Sequence, residues 1–267
     1  MAFITSFFKG VLIGVGNIAP GVSGGALAII LGLYEDLIHS VNTFFQDIKG
    51  NIRFLLPIGL GAAAGIVGFS NVLNYLFDRY PLGTTFTIAG LIVGLLPVFW
   101  HKANARGFKS YYLIPFAITL ALSIYFFVVE TGYTGSQPVE ELDLMALLWC
   151  GFLIAGSIVI PGVSGSVLLI LLGVYGVVLK AIATIDIPVL IPLALGLGIG
   201  VLFFSKLMGF LLKRYYGITY YAILGFIIGT IPELLKGVSW EQSLIAGIFC
   251  FGIGLFVSLY LSMKAAR

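Results

Sequence analysis

Few residues in this chain are equipped for chemistry, and most of them lie in one motif used twice. Asn17-Ile18-Ala19-Pro20-Gly21-Val22-Ser23-Gly24-Gly25 returns 141 positions later as Val159-Ile160-Pro161-Gly162-Val163-Ser164-Gly165-Ser166, with Pro-Gly-Val-Ser-Gly identical in both copies. Pro20, Gly21, Gly24, Gly25, Pro161, Gly162 and Gly165 interrupt a helix and leave the backbone bare. Asn17, Ser23, Ser164 and Ser166 add neutral hydrogen-bonding groups. A helix that restarts after either serine offers unpaired N–H donors and a partial positive charge. That combination suits an oxyanion such as a phosphate or a carboxylate. It does not suit covalent catalysis, because a serine nucleophile needs a base and neither motif contains a histidine or lysine. A single such motif is also what ordinary capping and close helix packing require; its repetition is what favours a ligand site.

The remaining candidates are charged. Arg79 and Arg214 close two apolar segments at equivalent places, and arginine suits bidentate phosphate contact; snorkelling anchorage at a membrane surface is the plainer role. Glu35, followed by Asp36, closes the first broken segment, while its counterparts Gly176 and Val177 are uncharged. Glu35 is therefore the candidate for carrying a coupling proton, or for facing the cation on a headgroup, beside its plainer role as an acid at a helix end; protons and sodium both stand as coupling ions. Tyr34, Tyr175, Tyr215, Tyr216, Tyr220 and Tyr221 read as interfacial belt residues. Cys150 and Cys250 read as packing residues. No metal-binding cluster, nucleotide loop or metalloprotease motif is present, so no metal, cofactor, enzymatic activity or nucleic-acid partner is expected.

The elements that must position these residues follow from composition. Of 267 residues, 60% are hydrophobic and 9% are charged. So little charge cannot cover a water-soluble domain. The runs are continuously apolar and near the ~20 residues that cross a bilayer as a helix, which points away from a β-barrel. The chain reads as an all-α polytopic membrane protein. The runs 3–38 and 144–182 each contain a breaker, leaving pieces short for full crossings, and each reads as a re-entrant helical hairpin, with two short spans as the alternative. Spans are expected at 54–77, 84–100 and 111–129, then at 187–212, 218–235 and 242–263. Residues 132–143 form an acidic connector.

The two parts repeat. At an offset of 135, Pro57, Gly65, Ser70, Tyr80, Gly90, Gly94 and Pro97 pair with Pro192, Gly200, Ser205, Tyr215, Gly225, Gly229 and Pro232. At 141, Gly10, Leu31, Gly32 and Tyr34 pair with Gly151, Leu172, Gly173 and Tyr175. Each repeat, 1–131 and 144–267, is a hairpin plus three crossings. Three is odd, so the second copy is inverted relative to the first. With a cytoplasmic N-terminus, all the lysines and arginines except Arg79, Lys180 and Lys236 fall inside. This favours cytoplasmic N- and C-termini with the acidic connector outside. Inverted repeats with broken helices meeting at the midplane are a transporter plan.

The pattern Lys9-Gly10, Gly16, Pro20-Gly21-Val22-Ser23-Gly24-Gly25, Leu31-Gly32 and Tyr34 resembles the bacterial and archaeal polyprenyl-phosphate transporters of the PopT type. The echo at Pro161-Gly162-Val163-Ser164-Gly165 fits the same family, although Ser166 departs from the second glycine of the first copy. The resemblance extends over nearly the whole chain. It implies a plasma-membrane flippase that returns the lipid carrier undecaprenyl phosphate to the inner leaflet for cell-envelope polymer synthesis. Composition and spacing alone reach only an anion-handling transporter. A secondary transporter of a small soluble anion is the alternative, with an intramembrane enzyme or an assembly scaffold behind it.

Overall fold

A computed structural model describes residues 3–18, 23–132, 143–163, 168–169, 172–184, 186–235 and 244–265. Every regular element among them is helical, as a chain in hydrocarbon requires when no water is present to satisfy its backbone. The first part comprises α1 (Phe3–Ile18), α2 (Gly24–Ile30), α3 (Tyr34–Asn42), α4 (Ile48–Arg79), α5 (Pro81–Ala103) and, after a short 3-10 turn at Ser110–Tyr112, α6 (Leu113–Gly132). The second comprises α7 (Leu144–Val159), α8 (Tyr175–Thr184), α9 (Ile187–Arg214), α10 (Tyr216–Gly229), α11 (Ile231–Leu235) and α12 (Leu244–Ala265). Among the described residues, α4, α5, α9 and the segment Ser110–Val129 are each long and apolar enough to cross a membrane. The connector at 133–142 lies outside the described residues.

Four helix pairs dominate the packing: α1 on α4, α7 on α9, α5 on α12 and α6 on α10. All four are joined through small residues four apart. A Cβ on Gly10 or Gly14 would strike the carbonyl of Ile58 or Ala62, and one on Gly61 or Gly65 that of Phe7 or Val11. In α7 and α9, Gly151 meets Leu193, Gly196 meets Leu148 and Gly200 meets Phe152. These are the same contacts displaced by 141 on the first helix and 135 on the second. Gly90 and Gly94 of α5 meet Phe251, Leu255 and Ser258 of α12, while Gly225 and Gly229 of α10 meet Phe116, Leu120 and Ser123 of α6. Residue numbers rise together in every pair, so all four pairs run parallel. Small residues are what permit such approach in a membrane, where the hydrophobic effect does not draw helices together. α5 and α10 form the centre, contributing Ile88, Ile92, Phe99, Tyr220, Ile223 and Leu224 to the core. The outer faces of α6, α9 and α12 expose Ile118, Ile199 and Phe256.

Several sequence-based expectations change. The second arm of the first hairpin is not one helix running to Ile38. It breaks at Leu31–Leu33, where Gly32 has φ +68°, and α2 and α3 meet at 111°. The left-handed conformation excludes most side chains, and Gly173, the counterpart, has φ +70°. Leu31 ends α2, and its carbonyl accepts from Lys9 Nζ at 2.9 Å, which explains a lysine within an apolar run. The span at 218–235 is two helices, α10 and α11, parted at Thr230; Pro232, just beyond, has no N–H with which to continue the helical ladder. Tyr34, Tyr220 and Tyr221 are buried core residues rather than belt residues.

Gly61→Val is expected to lower the detergent melting temperature and the folded yield, because overpacking against backbone costs about 1–3 kcal/mol. Gly59→Val and Gly68→Val, on the same helix but facing open space, are expected to leave thermal-shift melting nearly unchanged.

Candidate functional site

The two breakers meet. Ser23 has extended backbone (φ −98°, ψ 141°) and is the N-cap of α2. Its Oγ accepts from Ala26 N at 3.1 Å and from Gly162 N, in the other breaker, at 3.0 Å. These two bonds occupy the oxygen's two lone pairs, so its own O–H remains a donor. Gly24 N donates to Asn17 Oδ1 at 3.0 Å, tying the end of α1 to the start of α2. A Cβ on Gly25 would lie 3.3–3.5 Å from the Pro161 ring. Gly162 itself has φ +85° and packs against Phe226 and Ile227 of α10. Three backbone N–H groups, those of Gly24, Ala26 and the sequence-distant Gly162, are thus gathered around Ser23 and Asn17. A further brace is Tyr34, whose hydroxyl donates to the Val159 carbonyl at 2.8 Å.

A cavity of about 190 Å³ opens beside this junction, lined by Asn17, Gly24, Gly25, Tyr34 and Ser205 among others. At ~30 Å³ for each liquid water, it has room for several. Asn42, which sequence reading passed over, donates from Nδ2 to the Ser205 carbonyl at 3.1 Å and so fastens α3 across α9. Its Oδ1 is buried without a partner among the described residues. Nothing in the apolar periodicity distinguishes Asn42; only its place in a short polar segment hints at it.

Of the residues singled out from sequence, Asn17, Ser23, Gly24, Gly25, Pro161 and Gly162 come together here. Pro20, Gly21, Ser164, Gly165 and Ser166 lie outside the described residues. The arginines stand apart from the junction. Arg79 ends α4 and lines an apolar cleft of about 620 Å³ between α4, α5 and α12. Arg214 ends α9 and is exposed. Glu35 opens α3 rather than closing the hairpin, where an acid complements the helix dipole. Tyr220 OH donates to Glu35 Oε1 at 3.2 Å. Tyr220 stacks on Tyr216 with ring centroids 4.7 Å apart, and Arg106 lies over Tyr216 at 4.4 Å. Glu35 is therefore connected to α10 and the basic loop after α5. Both cysteines are free; Cys150 is buried and Cys250 lines the cleft. No group of three or more potential metal ligands occurs among the described residues.

The junction is open to a direct check. Gly25→Cys with Pro161→Cys, in a chain lacking Cys150 and Cys250, is expected to form a disulfide on mild oxidation. The Cβ separation of about 3.5 Å is within the ~3.5–4.5 Å that a disulfide takes. The linked peptides are to be identified by mass spectrometry, and Gly68→Cys paired with Pro161→Cys serves as the negative control.

Comparison with known proteins bears on the whole chain. Residues 13–248 match the family model described as undecaprenyl phosphate translocase-like. A polyprenyl-phosphate transporter of Staphylococcus aureus is 30% identical, with 98% of this chain and 97% of that protein covered. A polyprenyl-phosphate transporter of Vibrio cholerae is 28% identical, with coverage of 91% and 80%. No solved structure matches. The match runs from within α1, through both breakers, into α12, and on that ground the chain belongs to the undecaprenyl phosphate translocase-like family.

Proposed function

We propose that this protein carries undecaprenyl phosphate across the plasma membrane, from the outer to the inner leaflet, with its phosphate handled where the two breakers meet. The observation that carries this reading is the bridge from Gly162 N to Ser23 Oγ. Donors from opposite halves of the chain are already collected at one point. The neutral oxygens of Ser23 and Asn17 stand where phosphate oxygens would be received, and a charged acceptor competes well for such donors. The relatives' names supply the lipid. The sideways opening of the cleft at Arg79 favours a lipid over a small soluble anion, which needs a closed polar cavity.

The packing supports an inverted repeat of 1–131 and 144–267, each with a re-entrant hairpin and three crossings. Since α1 and α4 run parallel, residues 19–47 return the chain to the side from which α1 began, as a re-entrant hairpin must. α5 reverses after the turn at Tyr80, and α6 reverses again. α6 is parallel to α10, so α9, which precedes α10 across the turn at Tyr215, runs opposite to its counterpart α4. The interior placement of most basic residues favours cytoplasmic termini. Glu35 serves as the coupling group in this reading: its carboxylate is near enough to the α10 tyrosines to sense which side is open. Glu35→Gln should leave lipid binding intact and abolish the response of transport to an imposed pH gradient.

The main test uses bacteria whose own carriers of this lipid are depleted. Expression of this chain should lower surface-exposed undecaprenyl phosphate, and Ser23→Ala should reduce the rate about tenfold, as expected for losing a hydrogen bond to a charged group. Unchanged surface exposure would sink the reading. Competition by millimolar inorganic phosphate would shift it to the soluble-anion alternative.

A further inference from the structure

We infer that the cleft between α4, α5 and α12 is the berth of the isoprenoid chain, with Arg79 receiving the phosphate monoester at its rim before the headgroup moves to the breakers. The inference rests on the transport reading above and adds the lateral opening and the residues that form it.

The lining is apolar apart from its rim. Leu73, Leu76, Ile88 and Leu91 form much of the wall. Thr84 and Thr87 commit their hydroxyls to the carbonyls of Tyr80 at 2.8 Å and Gly83 at 2.7 Å, so they offer the cleft no free donor. Among the described residues, Arg79 is the single charged one lining the cleft, and none of them gives its guanidinium a hydrogen bond or ion pair. A lone cation above an apolar track matches a molecule with one strongly anionic end and one hydrocarbon chain; a phosphate monoester carries about −1.5 to −2 near neutral pH. The cleft also leads somewhere. Its inner wall includes Phe69 and Val15, and Val15 is two residues before Asn17. From Phe69 to Arg79 the helix rises about 15 Å. The track therefore joins the end of α4 to the level of the first breaker.

Among the described residues, the corresponding places in the second half are filled. Val15 corresponds to Gly156 and Phe69 to Phe204, and there the Phe204 ring lies against Gly156, 3.0 Å from where a Cβ would stand. The α9 face below Arg214 is covered by α3, through the bond from Asn42 to the Ser205 carbonyl and the contact of Asn42 with Gly209. α8, the counterpart of α3, packs on α9 as α3 packs on α4, but makes no comparable contact with α4 among the described residues. The cleft at Arg79 is open because α8 is not drawn across it.

The test is photo-crosslinking of the full chain in nanodiscs of phosphatidylglycerol containing a trace of undecaprenyl phosphate. Leu91, on the cleft wall, is replaced by p-benzoylphenylalanine; Leu76 serves as a second wall position should the first variant melt early. Ile199, on the outer face of α9, is the control. The wall position should capture undecaprenyl phosphate about tenfold or more above its mole fraction, a preference worth one charge-assisted contact. Ile199 should capture lipids in bulk proportion. Arg79→Gln should remove most of the enrichment and Arg79→Lys should retain part of it. Bulk-proportion capture at both wall positions, or enrichment indifferent to Arg79→Gln, overturns the inference. Transport without enriched capture would sink the cleft assignment and leave the transport reading standing. Enriched capture without transport in proteoliposomes would do the reverse.

Discussion

Helix backbones can touch only where the side chain between them is close to nothing, and the architecture depends on that constraint. α1, α4, α5, α9, α10 and α12 carry small residues four apart at their closest contacts, and α6 and α7 complete the set with Thr119–Ser123 and Gly151–Ala155. In hydrocarbon the contact is held by dispersion and by groups such as Thr119, whose hydroxyl reaches the Ala222 carbonyl at 2.8 Å. Two of the four tight pairs join helices of the same half. The other two, α5 with α12 and α6 with α10, cross between halves, so neither half holds its central helix alone.

The junction of the breakers follows from this arrangement. α1 is locked along α4 and α7 along α9, which fixes where each helix ends. The bonds from Gly162 to Ser23 and from Tyr34 to Val159 then span a few ångströms rather than a flexible gap. The short α2 has little dipole of its own. What the junction offers is a set of converging donors, preorganised by helices whose register the glycines determine.

Much of this was legible in the residues. The breakers, the two offsets and the glycine spacing all appear in the sequence, because breaking a helix and allowing close approach both demand particular residue types. The bend at Leu31–Leu33 was not read, although Gly32 and Gly173 were matched, because a glycine in an apolar run serves packing and a left-handed turn equally well. The burial of Tyr34, Tyr220 and Tyr221 was hidden for a related reason: a tyrosine suits an interface or a core with a carbonyl or carboxylate to bond. Which helices exchange between halves could not be read, since small residues announce close contact without naming the partner. The role of Asn42 depends on a partner 163 residues away.

The crossing pairs also set an order of assembly. Gly90 of α5 finds its partner only in α12, roughly 160 residues later in the chain, which at about 5–20 residues per second is roughly 8–30 s of synthesis. α10 emerges to find α6 waiting, but α5 stands in the bilayer with its narrow face unpartnered until α12 is made. For that interval the newborn chain is an incomplete bundle whose central helix is held only by elements that later become its neighbours. α12 is therefore the helix that closes the central pairing.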